Sequence, residues 1–128
     1  MKLRIRGDSV RLRLTRGEVK SLLEAGKVEE ETRFPVGSAF RYRLTAATDC
    51  REVGASYDGA TLSVALPADL ARRWGESDEV GIRVALALGA GAGELGILIE
   101  KDFPCLTARP GEDDSDAFSA DSPRSTSC

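Results

Sequence analysis

The sequence predicts an α+β fold: about eight antiparallel strands in a strongly curved sheet or barrel, with two short helices. Three observations lead there. Apolar and charged residues alternate at period two in segment after segment, the pattern of half-buried strands. Two-residue turn signals, Gly7-Asp8 and Asp58-Gly59, separate neighbouring alternating runs, so consecutive strands should pair as hairpins. Two short segments break the period, and each opens on a helix-start signal, Thr15 with Glu18 in one and Pro67 in the other. Amphipathic strands in this number tend to curl, which also removes exposed edges.

The first strand is Lys2 to Arg6, and Val10 to Leu14 resumes its alternation after Gly7-Asp8. With those two residues as the loop, Arg6 faces Ser9, Ile5 faces Val10, Arg4 faces Arg11, Leu3 faces Leu12 and Lys2 faces Arg13. That register places every apolar side chain on one face. Thr15 and Glu18 form a capping box that opens a helix through Glu24 or Ala25. Val19, Leu22 and Leu23 give this helix an apolar stripe, and Gly26 stops it. Lys27 to Phe34 alternates again, with Glu29, Glu31 and Arg33 on its polar side. After the Pro35/Gly37 turn, Ala39 to Thr45 sets Phe40, Tyr42 and Leu44 opposite Arg41 and Arg43.

The second half repeats this grammar. Val53 to Tyr57, Asp58-Gly59 and Thr61 to Leu66 form a hairpin, and a helix from Pro67 to near Gly75 carries Leu70 and Trp74. Val80 to Leu88 and Glu94 to Lys101 are the last strands, joined through the glycines of 89–93. The order is a hairpin-helix-hairpin pseudo-repeat at an offset of about 51 residues: Leu14-Thr15 answers Leu66-Pro67, Glu18-Val19 answers Asp69-Leu70, and Leu23 answers Trp74.

A chain of 128 residues holds one core. Residues 1–107 contain 16 basic and 16 acidic side chains, so the net charge of -3 arises entirely from the remainder. Residues 108–128 change character, with Glu112, Asp113, Asp114, Asp116 and Asp121, five serines, and Phe118 as the one large apolar residue after Gly111. Such a stretch buries too little to offset ordering, which predicts a domain over 1–107 and a disordered acidic tail over 108–128. The tail is either a solvated solubilising segment or one that folds back onto the basic N-terminal half and competes with an anion there. The absence of histidine excludes a Ser-His-Asp triad, a His-Cys dyad and any zinc site that uses histidine. Alternating arginines at the start leave no apolar run for a signal peptide, and Cys50, Cys105 and Cys128 lack CxxC spacing; a cytoplasmic protein with reduced thiols is expected.

The arrangement with chemistry in it is cationic. Lys2, Arg4, Arg6, Arg11 and Arg13 share one face of the first hairpin, and Arg41 and Arg43 could extend it. Like charges set directly opposite one another are unfavourable, so something negative should lie nearby. Solvent and counterions, Glu29 and Glu31 on a neighbouring strand, or a bound anion would each serve. Arginine suits an anion because its planar fork matches phosphate oxygens with paired hydrogen bonds. The neutral core, a sequence pI of about 5.1 and the scarcity of aromatic residues argue against nucleic acid.

Met1 to Thr15, Leu98 to Leu106 and Glu112 to Phe118 resemble a family of small bacterial proteins with no assigned activity. This resemblance spans most of the chain, which departs from it in the Ser-rich end after Phe118. Leu3-Arg-Ile-Arg6 and Leu95-Gly-Ile-Leu-Ile-Glu100 are similar to strands of the triphosphate tunnel enzymes. That likeness implies an eight-stranded antiparallel tunnel lined by Arg, Lys and Glu, with metal held on glutamates. The alternating glutamates followed by lysine that open those proteins are absent, and Glu29 and Glu31, the closely alternating pair here, fall on the third strand.

Smaller signals read as structural. Cys105 is expected as a buried apolar residue, since a nucleophile there would need activation by Arg109, Lys101 or a helix N-terminus. Trp74 is expected to anchor the second helix, and Gly89-Ala-Gly-Ala-Gly93 lacks the Lys-Ser or Lys-Thr and the helix of a phosphate loop. The expectation is a binding module without a cofactor or metal, whose arginine face takes a phosphate-bearing small molecule or a protein, with no membrane contact. One alternative is a metal-dependent hydrolase of a phosphorylated substrate, with Glu29, Glu31 and Glu100 as metal ligands. The other is a purely structural or dimerising module.

Overall fold

In the computed structural model, residues 1–103 are described; the predicted tail at 108–128, its boundary and Cys105 lie outside them. The elements in chain order are β1 (Lys2–Ile5), β2 (Ser9–Leu14), α1 (Arg16–Ala25), β3 (Lys27–Thr32), β4 (Phe40–Ala47), β5 (Gly54–Tyr57), β6 (Thr61–Pro67), α2 (Ala68–Gly75), β7 (Gly81–Ala87) and β8 (Glu94–Lys101). The fold is α+β, with eight strands and two helices among the described residues.

The sheet arrangement corrects the expectation of one curved antiparallel sheet or barrel. The strands form two four-stranded sheets, a first of order β1-β2-β8-β7 and a second of order β3-β4-β6-β5. Four hairpins supply the antiparallel pairs, but the central pairs, β2 with β8 and β4 with β6, are parallel. Both sheets are therefore mixed and neither closes. The reason is connectivity: a hairpin fixes only its own two strands, whereas each central pair unites strands from opposite halves of the chain.

The two halves share one pairing scheme: replacing β1 with β5, β2 with β6, α1 with α2, β3 with β7 and β4 with β8 turns the order of the first sheet into that of the second. In one hairpin Leu3 opposes Leu12; in its counterpart Ala55 opposes Val64, 52 positions further along. The flanking hydrogen bonds repeat as well. Gly96 N–H donates to the Asp8 carbonyl, as Arg41 N–H does to that of Ala60; Lys101 N–H donates to Val80, as Ala46 N–H does to Gly26. The helices follow the same offset. Val19 and Leu22 are buried in α1 and Ala71 and Trp74 in α2, so Trp74 corresponds to Leu22 rather than to Leu23.

Local chemistry sets the ends of the elements. Gly7 (φ 52°) and Gly59 (φ 96°) each take the first loop position of a two-residue hairpin turn, where a left-handed φ is required. Thr15 caps α1: its hydroxyl accepts from Glu18 N–H while the Glu18 carboxylate accepts from Thr15 N–H, a complete capping box. Gly26 ends that helix in the left-handed region at φ 79°.

Inward side chains build a single core from Val10, Leu12, Leu14, Ile97 and Ile99 of the first sheet, Leu44, Leu62, Val64 and Leu66 of the second, and the buried stripes of both helices. Trp74 is fully buried, with its indole N–H donating to the Val80 carbonyl at 3.1 Å. Alternation along the strands then leaves positions 2, 4, 6, 9, 11 and 13 on the outer face of the first sheet. No helix among the described residues is long and apolar enough to cross a membrane.

Candidate functional site

The expected register of the first hairpin is observed, with Lys2 opposite Arg13 and Arg4 opposite Arg11. Parallel pairing with β8 extends the rows, placing Arg11 beside Leu98 and Arg13 beside Glu100; β7 then sets Arg83 beside Leu98 and Gly81 beside Glu100. One row across the outer face thus reads Arg4, Arg11, Leu98, Arg83. At the usual strand spacing its end residues stand about 14 Å apart along the backbone. The neighbouring row holds Lys2, Arg13, Glu100 and Gly81, and the row toward the Gly7 turn holds Arg6, Ser9, Gly96 and Ala85.

Acidic residues are few on this face. The Glu100 carboxylate receives Arg11 and, at 2.8 Å, the Arg13 Nε. These groups are well covered, with the Arg13 and Glu100 side chains each 12% exposed. Lys2 Nζ lies 3.0 Å from the buried Asp102 at one end, and Glu94 stands at the other. Arg4, Arg6 and Arg83 are exposed and form no ion pair among the described residues. They surround a depression of about 280 Å³ that Ser9, Arg11, Gly96 and Leu98 also line. The small side chains at positions 9 and 96 create the space: a Cβ built on Gly96 would meet nothing closer than Ser9 Cβ at 3.8 Å.

Arg41 and Arg43 do not extend this face. They belong to the second sheet, because β4 pairs with β3 and β6. There Glu31 stands directly opposite Arg41 and Glu29 directly opposite Arg43. Arg41 Nε donates to Glu31 Oε2 at 2.7 Å, and that contact raises the arginine pKa above its ordinary value. Arg43 Nε lies 3.2 Å from Glu29 Oε2, close enough for ionic attraction but without hydrogen-bond geometry. The outer face of the second sheet is therefore the balanced Arg–Glu ladder, while that of the first is cationic. Other carboxylates are occupied elsewhere: Glu18 and Glu30 both pair with the Met1 amine, and Glu30 also lies 2.7 Å from the Tyr42 hydroxyl. Burial first, then this carboxylate, pushes the phenol pKa up.

The three glutamates of the metal reading do not converge. Glu29 and Glu31 face arginines on the second sheet and Glu100 faces arginines on the first, and among the described residues no group of three His, Cys, Asp or Glu side chains could hold a metal. Arg83 was absent from the expected set and belongs to this face. Its signal was present in the sequence, as the one charged residue inside the apolar run Val80 to Leu88.

Over residues 1–122 the chain belongs to a family of unknown function, DUF7009. No curated protein and no solved structure matches it.

Proposed function

We propose that this member of a family without assigned activity is a binding module, and that the outer face of its first sheet takes an anionic, phosphate-bearing ligand. Arg4, Arg6 and Arg83 are the contacts, with Lys2, Arg11 and Arg13 completing the positive field. One observation carries the reading: two sheets built on the same pairing scheme differ in charge, and the cationic one has a depression ringed by three exposed guanidiniums without ion pairs among the described residues. Aligned cations on one face repel one another, and an anion with several oxygens relieves that repulsion while accepting paired hydrogen bonds. Exposed Arg–Glu pairs contribute only about 0–1 kcal/mol each, so the ladder on the second sheet needs no ligand to explain it.

The test is calorimetric titration of the full-length protein with inorganic tripolyphosphate at low salt. The Arg4→Ala/Arg83→Ala variant should bind at least about tenfold more weakly, about 1.4 kcal/mol. Arg41→Ala, on the balanced face, should leave the affinity unchanged, and added salt should weaken binding throughout. Equal affinity of the wild type and the double variant would refute the assignment.

A further inference from the structure

We infer that residues 112–121 of this same chain dock on the cationic face of the first sheet and compete there with a bound anion, an inference that rests on the reading of that face as an anion site. Charge complementarity is the first support. Residues 112–121 hold Glu112, Asp113, Asp114, Asp116 and Asp121 and no lysine or arginine. Residues 1–107 are charge-balanced, so the protein's excess negative charge and its cationic surface belong to different parts of one chain.

Connection geometry is the second. β8 is a central strand of the first sheet, and the described chain stops at Phe103, two residues beyond it. Nine residue steps separate Phe103 from Glu112 and reach at most about 30 Å, whereas the row from Arg4 to Arg83 crosses β8 at Leu98, only five residues or about 17 Å back from Phe103. The segment can therefore return over the face without disturbing β8. Pro110-Gly111, a turn signal in the sequence, stands immediately before the acids.

Two further observations fit the same occupant. Leu98 is the one apolar side chain in the row Arg4, Arg11, Leu98, Arg83, and Phe118 is the one large apolar side chain in the acidic segment. The family match also continues through residue 122, so the acidic segment is part of the unit that defines the family. Because the segment is tethered, its local concentration at the face reaches the millimolar range, enough for individually weak charge pairs to compete with a free ligand.

The experiment uses the full chain with the segment neutralised by Glu112→Gln, Asp113→Asn, Asp114→Asn and Asp116→Asn together. Phenylglyoxal modification of Arg4, Arg6 and Arg83, followed by mass spectrometry, should proceed several-fold faster in this variant than in the wild type at low salt, and the difference should shrink as salt is added. Tripolyphosphate should bind the variant about tenfold more tightly, and that gain should vanish when Arg4→Ala/Arg83→Ala is added. Equal modification rates in the wild type and the variant would overturn the docking whatever tripolyphosphate does. Protection that rises with protein concentration would also overturn it, by placing the segment on a second copy. Faster modification of the variant without any tripolyphosphate binding would keep the docking and remove the anion-site reading on which its competitive role depends.

Discussion

Gly96 shows how a single side chain shapes the candidate site. It lies in a central strand, between Ser9 on one side and Ala85 on the other, and its missing side chain helps open the depression between Arg6 and Arg83. Valine suits an extended strand, and a Cβ at this position meets nothing nearer than 3.8 Å. Gly96→Val should therefore fold with an unchanged or slightly raised melting temperature. Its isopropyl group should also fill the depression and weaken tripolyphosphate binding several-fold, although no charge is removed. Calorimetry together with thermal melts checks both halves of that expectation. Glu100 acts in the opposite sense, because its carboxylate neutralises part of the guanidinium charge of Arg11 and Arg13 within the sheet. The cations left for a ligand are those toward the Gly7 turn and on β7.

At the scale of elements, the hairpins were legible and their partners were not. Alternation together with Gly7-Asp8 specified the β1–β2 register down to Arg4 opposite Arg11, because a slip of one residue along β2 would turn the buried Val10, Leu12 and Leu14 out of the core. The capping box at Thr15, the stop at Gly26 and the span Glu94 to Lys101 were equally plain, since each depends on residues close in sequence. The second hairpin turn adds a titratable device. Asp58 Oδ1 accepts from Thr61 N–H at 2.7 Å and Ala60 N–H at 2.9 Å, and those donors hold its carboxyl below the ordinary aspartate value. A carboxylate favoured in the folded state contributes stability above its unfolded pKa, and that contribution is lost as pH falls through the lowered folded value. Asp58→Ala should thus melt below the wild type at about pH 7, and the gap should close at about pH 2. Thermal melts at both pH values measure it; a gap of equal size at both would show that the turn gains nothing from ionisation.

For the whole molecule, the decisive feature is the exchange of strands between halves. Parallel pairing of β2 with β8 and of β4 with β6 joins strands of different hairpins, and no local pattern announces which hairpin will lie beside which. For that reason the sequence alone left open whether Arg41 and Arg43 extend the cationic face and gave no partner for Arg83, whereas the pairing of β3 with β4 sets Glu29 and Glu31 opposite the former pair. The same exchange yields two outer faces on one framework, a balanced one and a cationic one, and so supplies an internal control. Amide chemical-shift mapping of the isotope-labelled full-length protein during tripolyphosphate titration reads both faces at once. The account predicts saturable, salt-sensitive shifts at Arg4, Ser9, Gly96, Leu98 and Arg83, with Glu29, Arg43 and Ser63 unmoved. Shifts of similar size on the two sheets, or none on the first, would contradict it.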